Sequence, residues 1–132
     1  MSYMSARPAG DAATASIMVL DAARCWRAAR DSGASVQPRL TVVLRDHACE
    51  ILAPCFDSVM AICESALGRQ LRVGEGESTS EDEHLLLGLI DGSKRRRACL
   101  ECRDSIASAL DCALCSLRIM MGMALASSGR TH

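Results

Sequence analysis

The sequence feature that most constrains the fold is a long helical repeat of apolar residues near the end of the chain. Between residues 94 and 126 no proline occurs, and apolar side chains recur every three or four positions. This spacing places them along one side of an α-helix, as in helices that pack in a bundle. The stripe contains the rows Cys99, Ile106, Ala113, Met120 and Cys102, Ala109, Ser116, Met123, with Leu110 and Leu117 alongside. The pattern predicts one long helix.

A second apolar set, Leu100, Ala107, Leu114 and Met121, lies beside that stripe. The helix is therefore apolar on more than one side. A helix of this kind is either central in its bundle or shared with another subunit. The methionines add adaptable contact surface. We therefore expect an interface that includes Leu114, Met120, Met121 and Met123.

Helix signals also cover the rest of the chain. Residues 12–30 repeat with helical period, and Gly33 is a typical C-terminal stop. The following helical stretch contains Pro54, which predicts a kink or a break there. Ser80 and Glu83 have the spacing of a capping box that opens a third helix. We expect an all-α fold, an up-down bundle of four to five helices with one long C-terminal helix.

Length and composition indicate one ordinary domain. The chain has 132 residues, which corresponds to a single domain with a core of its own. Residues 1–10 carry no periodicity and are expected to be a flexible arm, followed by the bundle in 11–127 and a flexible tail in 128–132. The net charge of −1 gives no global field that would attract a polyanion.

No export or membrane signal is recognisable in the sequence. The first apolar stretch lacks the clean core of a signal peptide. The most apolar window, residues 106–125, contains Asp111 and Arg118, so we expect a buried helix rather than a membrane span. The expected location is the cytoplasm, where thiols stay reduced.

Cysteine is abundant in this chain and can bind metal. There are 8 cysteines, and Cys99, Cys102, Cys112 and Cys115 form two C-x-x-C pairs. Four thiolates suit zinc, and each pair could hold Cu(I) with help from Cys49, Cys55 or Cys63 on a facing helix. On one straight helix, however, the pairs lie about 20 Å apart and cannot enclose one ion. The alternative interpretation, which we favour, is that reduced cysteines pack as small apolar side chains.

The only basic run in the chain is the segment of residues 94–97, Lys-Arg-Arg-Arg. It could contact phosphate or an acidic partner, but it lacks the aromatic residues on which single-stranded nucleic acids stack. Recognisable nucleophilic triads, phosphate-binding loops and paired catalytic carboxylates are missing. The sequence therefore predicts a non-catalytic protein, an adaptor or regulator that associates with protein and forms a homodimer or larger homo-oligomer. A thiolate Cu(I) or Zn protein and a small regulator that contacts nucleic acid are the alternatives.

Overall fold

The fold is all-α. The computed structural model describes the backbone of residues 2–129 and the side chains of residues 13–126. Within them the chain forms six α-helices and no β-strand, and about 75% of the chain is helical. The helices are α1 (Ser2–Ser32), α2 (Val36–Arg45), α3 (Ala53–Leu67), α4 (Glu81–Asp91), α5 (Arg96–Cys99) and α6 (Asp104–Gly129), and a single 3-10 turn spans Glu50–Leu52. The all-α prediction is confirmed, with six helices where four to five were expected.

Helix α1 contains the first predicted helix and extends beyond it toward the N-terminus. It begins at Ser2, so the backbone of residues 2–10, expected as a flexible arm, is helical. It ends at Ser32, and Gly33 follows with a φ of +72°, a conformation that glycine adopts without steric cost. At the other end of the chain α6 reaches Gly129, and residues 130–132 of the expected tail lie outside the described residues.

The helical stretch around Pro54 is broken, as its sequence predicts. Helix α2 ends at Arg45, and Ala48 then adopts a φ of +57° in the turn that follows. Helix α3 begins at Ala53 and places Pro54 in its first turn. A proline is tolerated there because the first turn of a helix has no internal acceptor for its backbone N–H groups.

The prediction of one helix across residues 94–126 is wrong in its first third. Helix α5 ends at Cys99, and Leu100 is extended, with a φ of −136° and a ψ of 116°. This conformation turns Leu100 into the core, where 7% of it remains exposed. Helix α6 begins only at Asp104, so Cys102 lies in the connection between two helices. The helix is thus interrupted between α5 and α6 where Leu100 becomes buried, although residues 100–103 contain no glycine or proline.

The core lies where α1, α2, α3 and α6 meet. α1 packs against α2, α3 packs against α6, and α4 packs against both α1 and α6. The largest buried side chains include Trp26, Phe56, Leu44, Leu89 and Leu117. Trp26 of α1 and Phe56 of α3 are both fully buried, and Trp26 Nε1 donates to Asp57 Oδ1, so the indole joins α1 to α3.

The connection between α3 and α4, residues 69–80, contains no helix and is fixed by two buried carboxylates of α4. The capping box is present, since Ser80 Oγ accepts from the backbone N–H of Glu83 and Glu83 Oε1 accepts from that of Ser80. The Glu83 carboxylate also accepts from Gly74 N at 3.0 Å and from Arg24 Nε at 2.9 Å. Burial alone would raise the pKa of Glu83, but these hydrogen bonds outweigh burial and hold the pKa below its ordinary value.

Asp82 fixes the other end of the same connection. Its carboxylate accepts two hydrogen bonds from the Arg69 guanidinium, at 2.6 and 2.8 Å, and one from Arg72 N at 2.8 Å. The bonds from Arg69 hold the pKa of Asp82 below its ordinary value. The described side chains contain no buried polar atom without a hydrogen-bond partner. These two carboxylates therefore have a structural role.

Candidate association surface

Helix α6 presents two different faces. Its inner face is packed on the rest of the chain and consists of Ala107, Leu110, Leu114, Leu117 and Met121, all at most 8% exposed. The opposite side carries six exposed residues, Ser105, Ala109, Cys112, Ser116, Ile119 and Met123. We call these six residues the outer stripe. Their spacing alternates between four and three residues, which aligns them along one line of the helix.

The outer stripe is uncharged and includes two of the most exposed large apolar side chains of the described residues. Ile119 is 58% exposed and Met123 is 67% exposed. Burying each of them would contribute about 1–2 kcal/mol, because water gains freedom when apolar surface is removed from it. An uncharged line of this length that includes exposed apolar side chains is typical of a contact surface.

Side-chain size changes along the outer stripe. The first half contains Ser105, Ala109 and Cys112, which are small, whereas the second half ends in the large side chains of Ile119 and Met123. Small residues let another helix approach closely, and large residues need a recess to occupy. The two halves of the stripe are therefore complementary to each other in shape.

The charged residues in the middle of α6 lie off the outer stripe and contact the rest of the chain. Asp111 Oδ1 accepts from Arg96 Nε at 2.7 Å. The Arg118 guanidinium donates to the carbonyl oxygens of Leu89 and Ile90, at 2.6 and 3.0 Å. Those carbonyls belong to the last turn of α4, where a cation is favoured by the helix dipole. The charges thus orient α6 and leave its outer stripe uncharged.

Helix α6 is long and apolar enough to cross a membrane. The segment Asp104–Ala126 has a mean hydropathy of 1.6, and 22% of it is buried. A mostly buried core helix was expected, so this low burial is a difference from the prediction. In this fold the inner-face leucines Leu110, Leu114 and Leu117 are packed in the core. Insertion across a bilayer would require α6 to leave the core that these leucines complete.

The residues predicted for an interface are divided between the two faces of α6. Leu114 and Met121 belong to the inner face, with 2% and 6% exposure, because the chain's own core occupies them. Met120 is half-buried and its Sδ lies 3.2 Å from Cys55 Sγ. Only Met123 lies on the outer stripe. The exposed residues of the outer stripe that sequence reasoning missed as interface candidates are Ser105, Ala109, Cys112, Ser116 and Ile119.

The four predicted thiolate ligands are spread over three segments. Cys99 ends α5 and is exposed, Cys102 is half-buried in the connection, and Cys112 and Cys115 are exposed on α6. In the described part of the chain, no three His, Cys, Asp or Glu residues come together as a metal-binding group. The structure therefore provides no preassembled ligand set for the predicted Cu(I) or Zn site.

The cysteines proposed as additional donors lie largely in the core. Cys49 and Cys63 are buried, and Cys55 contacts Met120. Burial raises the pKa of the Cys63 thiol to about 11, and burial also raises the pKa of Cys49. A thiol with a raised pKa is a poor nucleophile and a poor metal ligand, because the thiolate is the reactive form. Their environment is that of small apolar core residues.

Comparisons of the chain with protein-family models, with curated proteins and with solved structures found no match.

Proposed function

We propose that this protein works by association rather than catalysis, and that it forms a homodimer through the outer stripe of α6. The proposal includes an up-down arrangement of its helices as a bundle, with α6 on the side that meets the second copy. The observation that carries the proposal is an uncharged, exposed line of residues that is small at one end and large at the other.

A second copy fits the outer stripe in one orientation especially well. If two α6 helices pack antiparallel about a two-fold axis near position 114, Ser105 of one copy lies opposite Met123 of the other. In the same register Ala109 lies opposite Ile119, and Cys112 lies opposite Ser116. Each large side chain then faces a small one, which allows close packing of the two helices. An interface of this type is isologous, as in most homodimers.

The expected affinity is moderate. The outer stripe spans about 27 Å along the helix axis, from the rise per residue of an α-helix. One helix pair of this length buries less area than the roughly 1,600 Å² of a standard interface. We therefore expect a dissociation constant in the micromolar range, so that assembly depends on protein concentration. Such a dimer suits a regulator whose state changes with its abundance.

The proposal predicts that a charge in the outer stripe prevents dimer formation. The variant Ile119→Glu should weaken the dimer at least about tenfold, because a buried carboxylate would lie against Ala109 of the second copy. Ile51→Glu is the matched control, since Ile51 is 65% exposed in the 3-10 turn and is not part of the outer stripe. Sedimentation velocity over a range of concentrations measures both variants against the wild-type chain.

Two results would contradict dimer formation through this face. One is a wild-type chain that stays monomeric at its highest soluble concentration. The other is an Ile119→Glu variant that dimerises as tightly as Ile51→Glu does. A monomeric wild-type chain could instead co-sediment with phosphatidylglycerol vesicles and lose this binding in Ile119→Glu. That result would mean that the outer stripe binds a membrane surface and not a second copy.

The antiparallel register makes a separate prediction about disulfide formation. In the variant Ser116→Cys the new thiol should lie opposite native Cys112 of the second copy, so oxidised glutathione should produce a covalent dimer. The control Ser105→Cys should not cross-link, because its opposite residue is Met123. Non-reducing electrophoresis and mass spectrometry of the linked peptide identify the pair. Equal cross-linking of the wild-type chain through Cys112 alone would indicate parallel packing and refute the register.

A further inference from the structure

A cavity of about 360 Å³ lies at the junction of α4, α5 and α6. Pockets for small ligands have volumes from about 300 to 1,000 Å³, so this cavity is at the lower end of that range. Six charged residues line it, Lys94, Arg95, Arg96, Arg97, Asp111 and Arg118. Five of them are cations and only one is an acid. We call it the basic cavity.

Arg118 is held in place at the wall of the basic cavity. Its Nε and one terminal nitrogen donate to the carbonyl oxygens of Ile90 and Leu89. These contacts fix the plane of the guanidinium group without neutralising its charge, since both acceptors are uncharged. A cation that is already positioned loses little conformational entropy when it binds an anion.

Lys94 is positioned by a glycine. Its backbone N–H donates to Gly88 O at 3.0 Å. A Cβ at position 88 would lie only 2.6 Å from Lys94 Cγ and Cδ, so the lysine stem packs directly over Gly88. The missing side chain of Gly88 therefore makes room for the aliphatic part of Lys94 beside the cavity.

Only one of the five cations is neutralised by the acid of the cavity. The Asp111 carboxylate is bonded to Arg96, whose side chain is 12% exposed. The four remaining cations, Lys94, Arg95, Arg97 and Arg118, give the concave surface an excess of positive charge. Concentration of one sign of charge in a concave site strengthens its field and attracts small ions of the opposite sign.

We propose that the basic cavity binds a compact anion with two or more phosphate groups, that is, an oligophosphate or a small ligand that carries one. Several separate cations around a small volume suit several linked phosphates better than a single one, and guanidinium groups match phosphate oxygens in pairs. Trp26 and Phe56, the aromatic residues whose side chains are described, are both fully buried. No described tryptophan or phenylalanine ring is therefore available for base stacking, which favours a small anion over single-stranded nucleic acid.

Isothermal titration calorimetry with sodium tripolyphosphate at low ionic strength tests the site. The wild-type chain should bind it saturably, and the double variant Arg95→Gln/Arg97→Gln should bind about tenfold more weakly, because charge-assisted hydrogen bonds are lost. The control is Arg39→Gln/Arg45→Gln, which removes the same charge from two exposed arginines of α2. This control should change the affinity less than about twofold, since distant surface charges are screened. Circular dichroism melting confirms that both double variants are folded.

Three results would overturn the proposal. The first is a wild-type chain that shows no saturable binding of tripolyphosphate. The second is an equal loss of affinity in the two double variants, which would mean that net charge alone attracts the anion. The third is a single-stranded oligonucleotide that binds the wild-type chain more tightly than tripolyphosphate and loses affinity only in Arg95→Gln/Arg97→Gln. That result would assign the surface to nucleic acid.

Discussion

Replacing Trp26 by alanine is expected to lower the free energy of unfolding by about 4 kcal/mol. The indole is fully buried between α1 and α3, and its Nε1 donates to Asp57 Oδ1 at 2.9 Å. The Arg30 guanidinium also lies 4.8 Å from the centre of the ring, a cation–π contact. The substitution leaves a cavity in the core and removes both contacts. Urea denaturation followed by far-ultraviolet circular dichroism measures the change without using the lost tryptophan as a probe.

Two further variants separate the contributions at this position. Trp26→Phe keeps most of the buried volume and loses the hydrogen bond to Asp57, so we expect a cost of about 1–2 kcal/mol. Ile17→Ala on the same helix is the control, because Ile17 is 55% exposed and its loss should change stability by less than about 0.5 kcal/mol. A Trp26→Ala variant as stable as Ile17→Ala would show that the indole does not join the two helices.

Replacing Glu83 by alanine is expected to lower the free energy of unfolding by about 3 kcal/mol, because its fully buried carboxylate accepts hydrogen bonds from half-buried Arg24 and from two backbone N–H groups. Arg24 and the backbone N–H groups of Ser80 and Gly74 would lose their acceptor. The control is Glu81→Ala, in the same helical turn, where the side chain is exposed. Thermal unfolding at neutral pH compares the two variants, and equal melting temperatures would refute the structural role of Glu83.

The same substitution should also change the pH dependence of stability. The pKa of Glu83 is lower in the folded chain than its ordinary value, so its contribution is present above the unfolded pKa of about 4.3. That contribution is lost as the pH falls through the folded pKa. Below about pH 4 the difference in stability between wild type and Glu83→Ala should therefore become smaller. A difference that stays constant down to acid pH would show that the charge of Glu83 is not involved.

Local signals in the sequence predicted the ends of helices well. The capping box at Ser80, the stop at Gly33 and the break at Pro54 all depend on backbone groups within a few residues, and all three are confirmed. The ion pairs Arg24–Glu83 and Arg69–Asp82 were not predicted. Their members are 59 and 13 positions apart in the sequence, and only the tertiary fold determines which arginine reaches which carboxylate.

The break between α5 and α6 could not be predicted from periodicity. The residues around Leu100 fit a helical repeat, and neither glycine nor proline is present. The extended backbone at Leu100 lets its side chain pack in the core. The break is therefore an effect of tertiary packing rather than of local helix propensity. This break moves Cys99 and Cys102 away from the helix that carries Cys112 and Cys115. The two C-x-x-C pairs therefore do not lie on one straight helix, as the distance predicted between them had assumed.

The orientation of α6 was predicted only in part. Its sequence predicts a helix that is apolar on more than one side. The structure places the bulky leucines Leu110, Leu114 and Leu117 on the side that faces the core. Ala109, Ser116 and Met123, predicted within the packed stripe, are exposed. The size of the side chains was the signal that could have distinguished the faces, because large apolar groups gain most from burial.

The attachment of residues 69–80 to Asp82 and Glu83 has a consequence for the cooperativity of local opening. An irregular segment is usually the first part of a chain to exchange its amide hydrogens or to be cut by a protease. Here its backbone N–H groups are bonded to the first turn of α4 and its carbonyls to Arg24 of α1. The segment cannot detach unless that turn loosens as well, so this connection and the start of α4 form one cooperative unit.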